Sequence, residues 1–278
     1  MSDIVREGND PRAHMKSQLM RESLVSKRVA EQTVAESEWK ILPDVNVLYL
    51  GGQSIVDRGK SAVMPLLERI VEARKAHKLI LGVGSGARIR HTYHIALDLG
   101  LPTGGLAMVA GGVDEQNTTM IQCLLAQHKG IVLSKDHMLH LPLWLESGMI
   151  PILNGMPPYH YWEPPAGRMR VPAHGTDLGI YLVSEVLGAR SMIFLKDEDG
   201  IYTDDPKTSS KAEFIPKIGV RELIERDLPD LPIEPQLLPA MLNARHTRKI
   251  QIINGLKPEL LPQALDGEHV GTIVDADI

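Results

Sequence analysis

The chain reads as an α/β protein, a three-layer αβα sandwich around a largely parallel central sheet. Three observations point there. Short apolar runs recur between longer amphipathic stretches. Two of these runs, ending at Leu50 and Val83, pass directly into glycine-rich turns. A third ends on Lys196 and is followed by an acidic turn. Regular alternation of strand and helix means βαβ units, whose crossovers lay parallel strands side by side with helices on both faces.

Residues 1–10 are polar. Residues 15–39 are rich in Glu, Arg, Lys, Ser and Ala, with Leu19, Met20, Leu24, Val25, Val29 and Val34 near helical spacing. That predicts an arm helix whose apolar stripe needs a partner, in its own domain or another subunit. Leu42-Pro43-Asp44 ends it, so an arm of 1–43 precedes a domain of 44–278. The spacing then predicts a strand over 45–50, a helix over 62–75, a strand over 79–83 and a helix over 88–99. A helix over 117–128 follows, with strands at 131–134 and 150–153. A helix over 177–187 leads into the strand at Met192, and late strands are expected at 250–253 and 271–274. The stretch Met156–His174 is long, proline-rich and aromatic, the pattern of a functional or unstructured loop.

Composition removes several classes of function. Apolar residues make up 43%, enough for a sizeable core, and the formal net charge is −5. That balance argues against a general nucleic-acid binder, and an aromatic content of 4% weakens any base-stacking surface. The single cysteine, Cys123, excludes an internal disulfide and fits a reducing compartment. It lies in the helix-like run MIQCLLAQ and is expected to pack in the core. No run of 18 apolar residues and no signal-peptide pattern is present, so the expectation is a soluble cytoplasmic protein with no membrane partner.

The candidate chemistry gathers at predicted strand ends, where open α/β sheets bind ligands. Gly51-Gly52 follows the first strand, and paired glycines let backbone N–H groups approach an anion closely. Gly82 to Ala87 satisfies G-x-G-x-x-A by letter, yet no acidic residue ends a following strand where a ribose would need one. A different anion at the helix amino terminus fits better, with Gly84 in the turn and Arg88 as a clamp. No P-loop motif occurs. Thr176-Asp177 opens a helix, either as a cap or as a carboxylate that orients a lysine or holds magnesium. Lys196, at its strand end, suits phosphate. Asp199, Gly200, Tyr202 and Asp205 follow in a turn that brings an aromatic ring nearby. His91/His94 and His137/His140 are spaced as helical pairs without an obvious third metal ligand. His160 lies in the long loop.

Taken together, these segments resemble the amino acid kinase superfamily, which includes uridylate kinase and acetylglutamate kinase. The pieces are Gly51-Gly52, Gly84 to Arg88, Asp177, Lys196 with Asp199 to Tyr202, Asp205-Pro206 and the closing GEHVGT. Within it, LGGQSIVDRG, MPPY, KDEDGIYTDDPKTS, INGLKPELL and GEHVGTIV are similar to the molybdenum-storage family, its beta-type subunit in particular. The resemblance implies a homo- or hetero-hexameric cage of homologous subunits. It also implies ATP with Mg2+ at the kinase-type site, and molybdate stored inside as polyoxomolybdate clusters. It gives Lys196 and Asp177 catalytic roles. Gly51, Gly52, Gly84, Arg88, Lys196, Asp199, Tyr202 and Asp205 would hold nucleotide, and His160, His137 and His140 would face the cluster. Kinases of the superfamily carry a lysine two residues before the glycine pair, where this chain has Tyr49. That departure keeps two other readings open: a small-molecule kinase of the uridylate kinase type, and a catalytically silent nucleotide-binding partner.

Overall fold

The computed structural model describes residues 4–5, 14–15, 38–153 and 170–278. The chain divides into two compact units, Met1–Trp39 and Lys40–Ile278. In the first, β1 (Ile4–Val5) and β2 (His14–Met15) pair antiparallel, Ile4 opposite Met15. The remainder of the expected arm helix, and His160, lie outside the described residues.

The second unit runs β3 (Val45–Leu50), α1 (Lys60–Ala73), β4 (Lys78–Val83), α2 (Arg88–Asp98) and α3 (Thr103–Leu125). Next come β5 (Gly130–Leu133), α4 (Leu141–Glu146), β6 (Ile150–Leu153), α5 (Thr176–Leu187) and β7 (Ser191–Lys196). The last part contains β8 (Ile201–Tyr202), β9 (Phe214–Ile215), β10 (Lys217–Gly219), α6 (Val220–Arg226), α7 (Leu237–Asn243), β11 (Lys249–Asn254), α8 (Leu260–Leu265) and β12 (Thr272–Asp275).

Among the described residues, eight strands form one sheet in the order β10-β12-β11-β7-β3-β4-β6-β5. Every neighbouring pair is parallel except β11 and β12. The expected αβα sandwich is the observed architecture. Its central strands are mostly apolar because helices cover both faces, as parallel sheets require. Side-chain alternation sorts them into two cores. Val45, Val47, Tyr49, Met192 and Phe194 face α5, α6 and α7. Leu48, Leu50, Leu81, Ile193 and Leu195 face α1, α3 and α8. Burying one leucine-sized side chain is worth about 2 kcal/mol, so a strand buried on both faces is worth roughly twice one with a wet face.

Two expectations change. The helix predicted from Asn117 begins at Thr103 and runs straight through the glycine pairs at 104–105 and 111–112. Glycine costs about 1 kcal/mol in a helix interior, but Ala107 and Ala110 are fully buried against Ile89 and Tyr93 of α2. Small residues let the two helices approach, and packing outweighs propensity. Cys123, expected in the core, is exposed on the outer face of the same helix.

Candidate functional site

Parallel strands β3, β4 and β7 end together, and their carboxyl ends carry Gly51-Gly52, Gly84 to Ala87, and Lys196. The glycines are needed because the two turns stack backbone on backbone: a Cβ on Gly52 would overlap Gly84 and Gly86. Between them and the start of α5 lies a cleft of about 400 Å³, whose walls include Tyr49, Gly52, Ser85, Arg90, Thr176, Lys196 and Asp230. Among the described residues, the N–H groups of Gly52, Gln53, Ser54, Ser85 and Gly86 have no acceptor. Converging unpaired N–H groups in a turn form an anion nest.

Tyr49, Phe194 and Lys196 share one face of the sheet, since Tyr49 pairs in register with Phe194 and Lys196 lies two residues on. Lys196 Nζ therefore sits over the Tyr49 ring, 4.8 Å from its centre. It also donates to Asp177 Oδ2 at 2.8 Å, with both side chains nearly inaccessible. Asp177 stands in the first turn of α5, and its other neighbour is the backbone N–H of Glu234, at 3.2 Å. Tyr49 Oη lies 2.7 Å from Thr176 Oγ1. Burial, and then the charge of Asp177, push the Tyr49 phenol well above its ordinary range. It is a neutral group at physiological pH.

Glu234 completes the amino end of α5. Its carboxylate accepts from the N–H groups of Gly175, Asp177 and Leu178 at 2.8, 3.2 and 3.3 Å. Burial and the nearby Asp177 push it up to about 7, against the pull of those N–H groups. Asp57 does the equivalent for α2, accepting from the N–H of Ala87. Thus two helix amino termini at this edge already carry a carboxylate of the chain itself. Beneath the second glycine turn, Asn117 Nδ2 donates to the carbonyls of Gly84 and Ser85 at 2.6 and 2.9 Å. Asp114 lies beside it, 1% exposed, and burial pushes it up to about 7 against the pull of the Ser85 hydroxyl.

The sequence-derived candidates are placed unevenly. Lys196, Asp177, Gly51, Gly52 and Gly84 converge at the cleft. Arg88 does not line it; Arg90, about half a helical turn further on, does. Asp199 is turned toward the end of β11, accepting from Asn254 Nδ2 at 2.9 Å and Lys257 Nζ at 2.6 Å. Lys257 holds it below the usual carboxylate range. Tyr202 packs against Phe214 in the β8–β9 hairpin, ring centres 5.4 Å apart. Asp205 caps its own turn through the Lys207 N–H and the Thr208 hydroxyl. With Glu198 and Asp230 it brings carboxylate oxygens within 4.8 Å of one another at the cleft's mouth, a donor set suited to magnesium. His137 and His140 lie near Trp144, ring centres 6.0 and 6.4 Å away, beyond the carboxyl end of β5. β4 and β6 separate that strand from β3, so this aromatic group stands apart from the cleft. Glu234, Asp230 and Asp57 were not singled out by sequence. Each is an isolated polar residue whose meaning comes from tertiary contact alone.

Comparison with known proteins follows the same lines. The model of the amino acid kinase family matches residues 44–254. The chain is 44% identical over 264 residues to the molybdenum storage protein subunit beta of Azotobacter vinelandii, covering 95% of this chain and 98% of that protein. It is 26% identical over 236 residues to a uridylate kinase of Methanothermobacter thermautotrophicus, covering 82% and 97%. Among solved structures, uridylate kinase from Archaeoglobus fulgidus superposes with a TM-score of 0.64 at 21% identity, covering 82% and 99%. UMP kinase from Bacillus anthracis gives 0.66 at 17%, covering 85% and 98%. These two establish the shared fold.

Proposed function

Because the chain belongs to the amino acid kinase family, we propose that it is a molybdenum storage subunit that binds ATP with magnesium and takes up molybdate in an oligomeric assembly. The observation that carries this reading is the 44% identity sustained over nearly the whole length of both proteins. A shared fold alone would leave the function open.

The cleft supports the nucleotide part. Its unpaired N–H groups, with Arg90 and Lys196, would cradle phosphate oxygens, and Glu198, Asp205 and Asp230 are the carboxylates that would hold magnesium. Magnesium, when bound, shields phosphate charge. Asp177 fixes the direction of the Lys196 ammonium, and Glu234 holds the helix that carries Asp177. Tyr49 supplies no positive charge toward a transferred phosphate. Losing such a group typically costs about 3 kcal/mol of transition-state stabilisation, on the order of a hundredfold in rate. The site is therefore better built to bind nucleotide than to transfer phosphate rapidly.

Assembly with homologous subunits has support on α3, whose outer face leaves Met108, Val109, Met120 and Leu124 exposed beside Ile95 and Leu99. A run of apolar side chains along a hairpin of two helices suits a second subunit of like surface. Molybdate, the cargo, would meet His137 and His140, with His160 added from the long loop. Imidazoles hydrogen-bond or ligate oxo surfaces. Replacing His137 and His140 together by Ala should lower the molybdenum bound per chain while leaving nucleotide affinity unchanged. Unaltered loading would remove them from this role.

Tyr49 also favours a second reading, a partner subunit that binds nucleotide without turning it over. Retained binding with phosphate release no faster than the buffer blank would select it. A small-molecule kinase of the uridylate kinase type is disfavoured by the same residue.

A further inference from the structure

The opposite edge of the sheet carries a second cavity. β7 begins at Ser191 and β11 at Lys249, so their amino ends lie about 17 Å of strand away from the cleft. There Arg190, Ser191, His246, Thr247, Arg248, Lys249 and the carboxylate-bearing Asp277 are among the residues that line about 290 Å³. Four basic residues fall within five positions, Arg245-His246-Thr247-Arg248-Lys249, and Arg190 adds a fifth from the adjoining strand start. Three carboxylates, Glu185, Asp275 and Asp277, lie among them and are bonded to this loop.

The loop that carries these residues is held rigidly from below. The Glu185 carboxylate accepts N–H bonds from Arg245, His246 and Thr247, at 2.6 to 3.2 Å. Tyr181 Oη donates to the carbonyl of Thr247 at 2.8 Å. Arg248 is engaged with Asp277 and with the carbonyls of Ala244 and Ala276. Lys249 lies 3.3 Å from Asp275. Arg190 differs. Its side chain is exposed, and among the described residues no hydrogen bond or ion pair engages its guanidinium. The preorganised loop and the uncommitted Arg190 line the same small cavity.

We propose that this cavity is a binding site for a small multivalent oxyanion of the phosphate class, with Arg190 as its principal clamp. The volume sits at the lower end of small-molecule sites, roughly 300 Å³ and upward, and suits a diphosphate group rather than a whole nucleotide. Arginine supplies the planar fork that pairs two oxygens at once. Arg248 and Lys249 are paired with Asp277 and Asp275, and the Ser191 hydroxyl donates to Asn46 Oδ1, so the uncommitted positive charge is that of Arg190. The site is independent of the cleft and does not depend on what the cleft binds.

Calorimetric titration of inorganic diphosphate into the full chain, with the cleft already saturated by a non-hydrolysable ATP analogue, tests it. One saturable event per chain is expected. Arg190→Gln should weaken it about tenfold, and Arg190→Glu should abolish it, with analogue binding unchanged in both. Arg190 holds the fold only through its backbone N–H to the Val45 carbonyl, which the substitutions keep, so the unfolding midpoint of both variants should stay at the wild-type value. A parallel titration with ADP distinguishes the source of the anion. A second ADP site lost in Arg190→Gln assigns it to nucleotide phosphates, and a single Arg190-independent ADP site assigns it to the free oxyanion. Absence of saturable diphosphate binding, or binding equal in wild type and both variants, would overturn the proposal.

Discussion

Asp114 offers the sharpest quantitative prediction. Its carboxylate is buried under the second glycine turn, where desolvation outweighs the opposing pull of the Ser85 hydroxyl. Burial moves it from an ordinary 3.8 to about 7. The native state therefore holds a proton that the unfolded chain releases near pH 4. A group raised in this way stabilises the fold fully below pH 4, and that stability is lost as pH rises through 7. At about 1.4 kcal/mol per pH unit, the span from 3.8 to about 7 amounts to roughly 4 kcal/mol, an upper figure. Asp114→Asn keeps the shape and removes the titration. The new amide needs acceptors, and Asn117 Oδ1, unpartnered among the described residues, is one helical turn away. Left unsatisfied, it would cost about 1–3 kcal/mol. The variant should therefore be about 2 kcal/mol more stable than wild type at pH 8 and no more stable at pH 5. Urea unfolding at both pH values, with slopes compared, measures this. An identical pH dependence in the two proteins would refute the burial argument.

Other outcomes follow from the same geometry. Lys196→Met leaves Asp177 buried without its cation and should cost about 3–5 kcal/mol of stability; the double variant with Asp177→Asn should regain most of it in thermal unfolding while still failing to bind nucleotide. Tyr49→Phe removes the contact with Thr176 and should cost about 1 kcal/mol, with nucleotide affinity within twofold of wild type; a larger affinity loss would mean that the hydroxyl meets the ligand. Gly52→Ala forces apart the stacked turns, so nucleotide affinity should fall at least tenfold, more than for Gly112→Ala, where the added methyl meets only open space.

The strands were readable because burial on both faces leaves no ambiguity of period. Leu79–Leu81 and Ile150–Leu153 are continuous apolar runs, and Val45–Leu50 is broken only by Asn46. The pairing of Lys196 with Asp177 was also within reach. A lysine at a strand end and an aspartate at a helix start both belong at the carboxyl edge of a parallel sheet. Glu234 was not. It stands alone in Leu-Pro-Ile-Glu-Pro, with no periodicity to mark it, and its role exists only because that loop folds over the start of α5. Arg88 opens the helix and so reads as the clamp, yet a helix turns about 200° in two residues and it is Arg90 that lines the cleft. The short helices α6, α7 and α8 and the β8–β9 hairpin were missed because elements of two to seven residues carry too little pattern to separate from loop. The long helix α3 was cut short for a different reason. Glycines disfavour helix locally, and only contact with α2 makes them useful.

The central claim is nucleotide-dependent molybdenum storage, and elemental analysis tests it most directly. The purified chain, supplied with its homologous partner subunit where one is required, is incubated with molybdate and magnesium, with and without ATP, then freed of unbound anion. Many molybdenum atoms per chain with ATP, and few without, is the predicted result. Molybdenum at the level of the buffer blank in both samples would contradict the account.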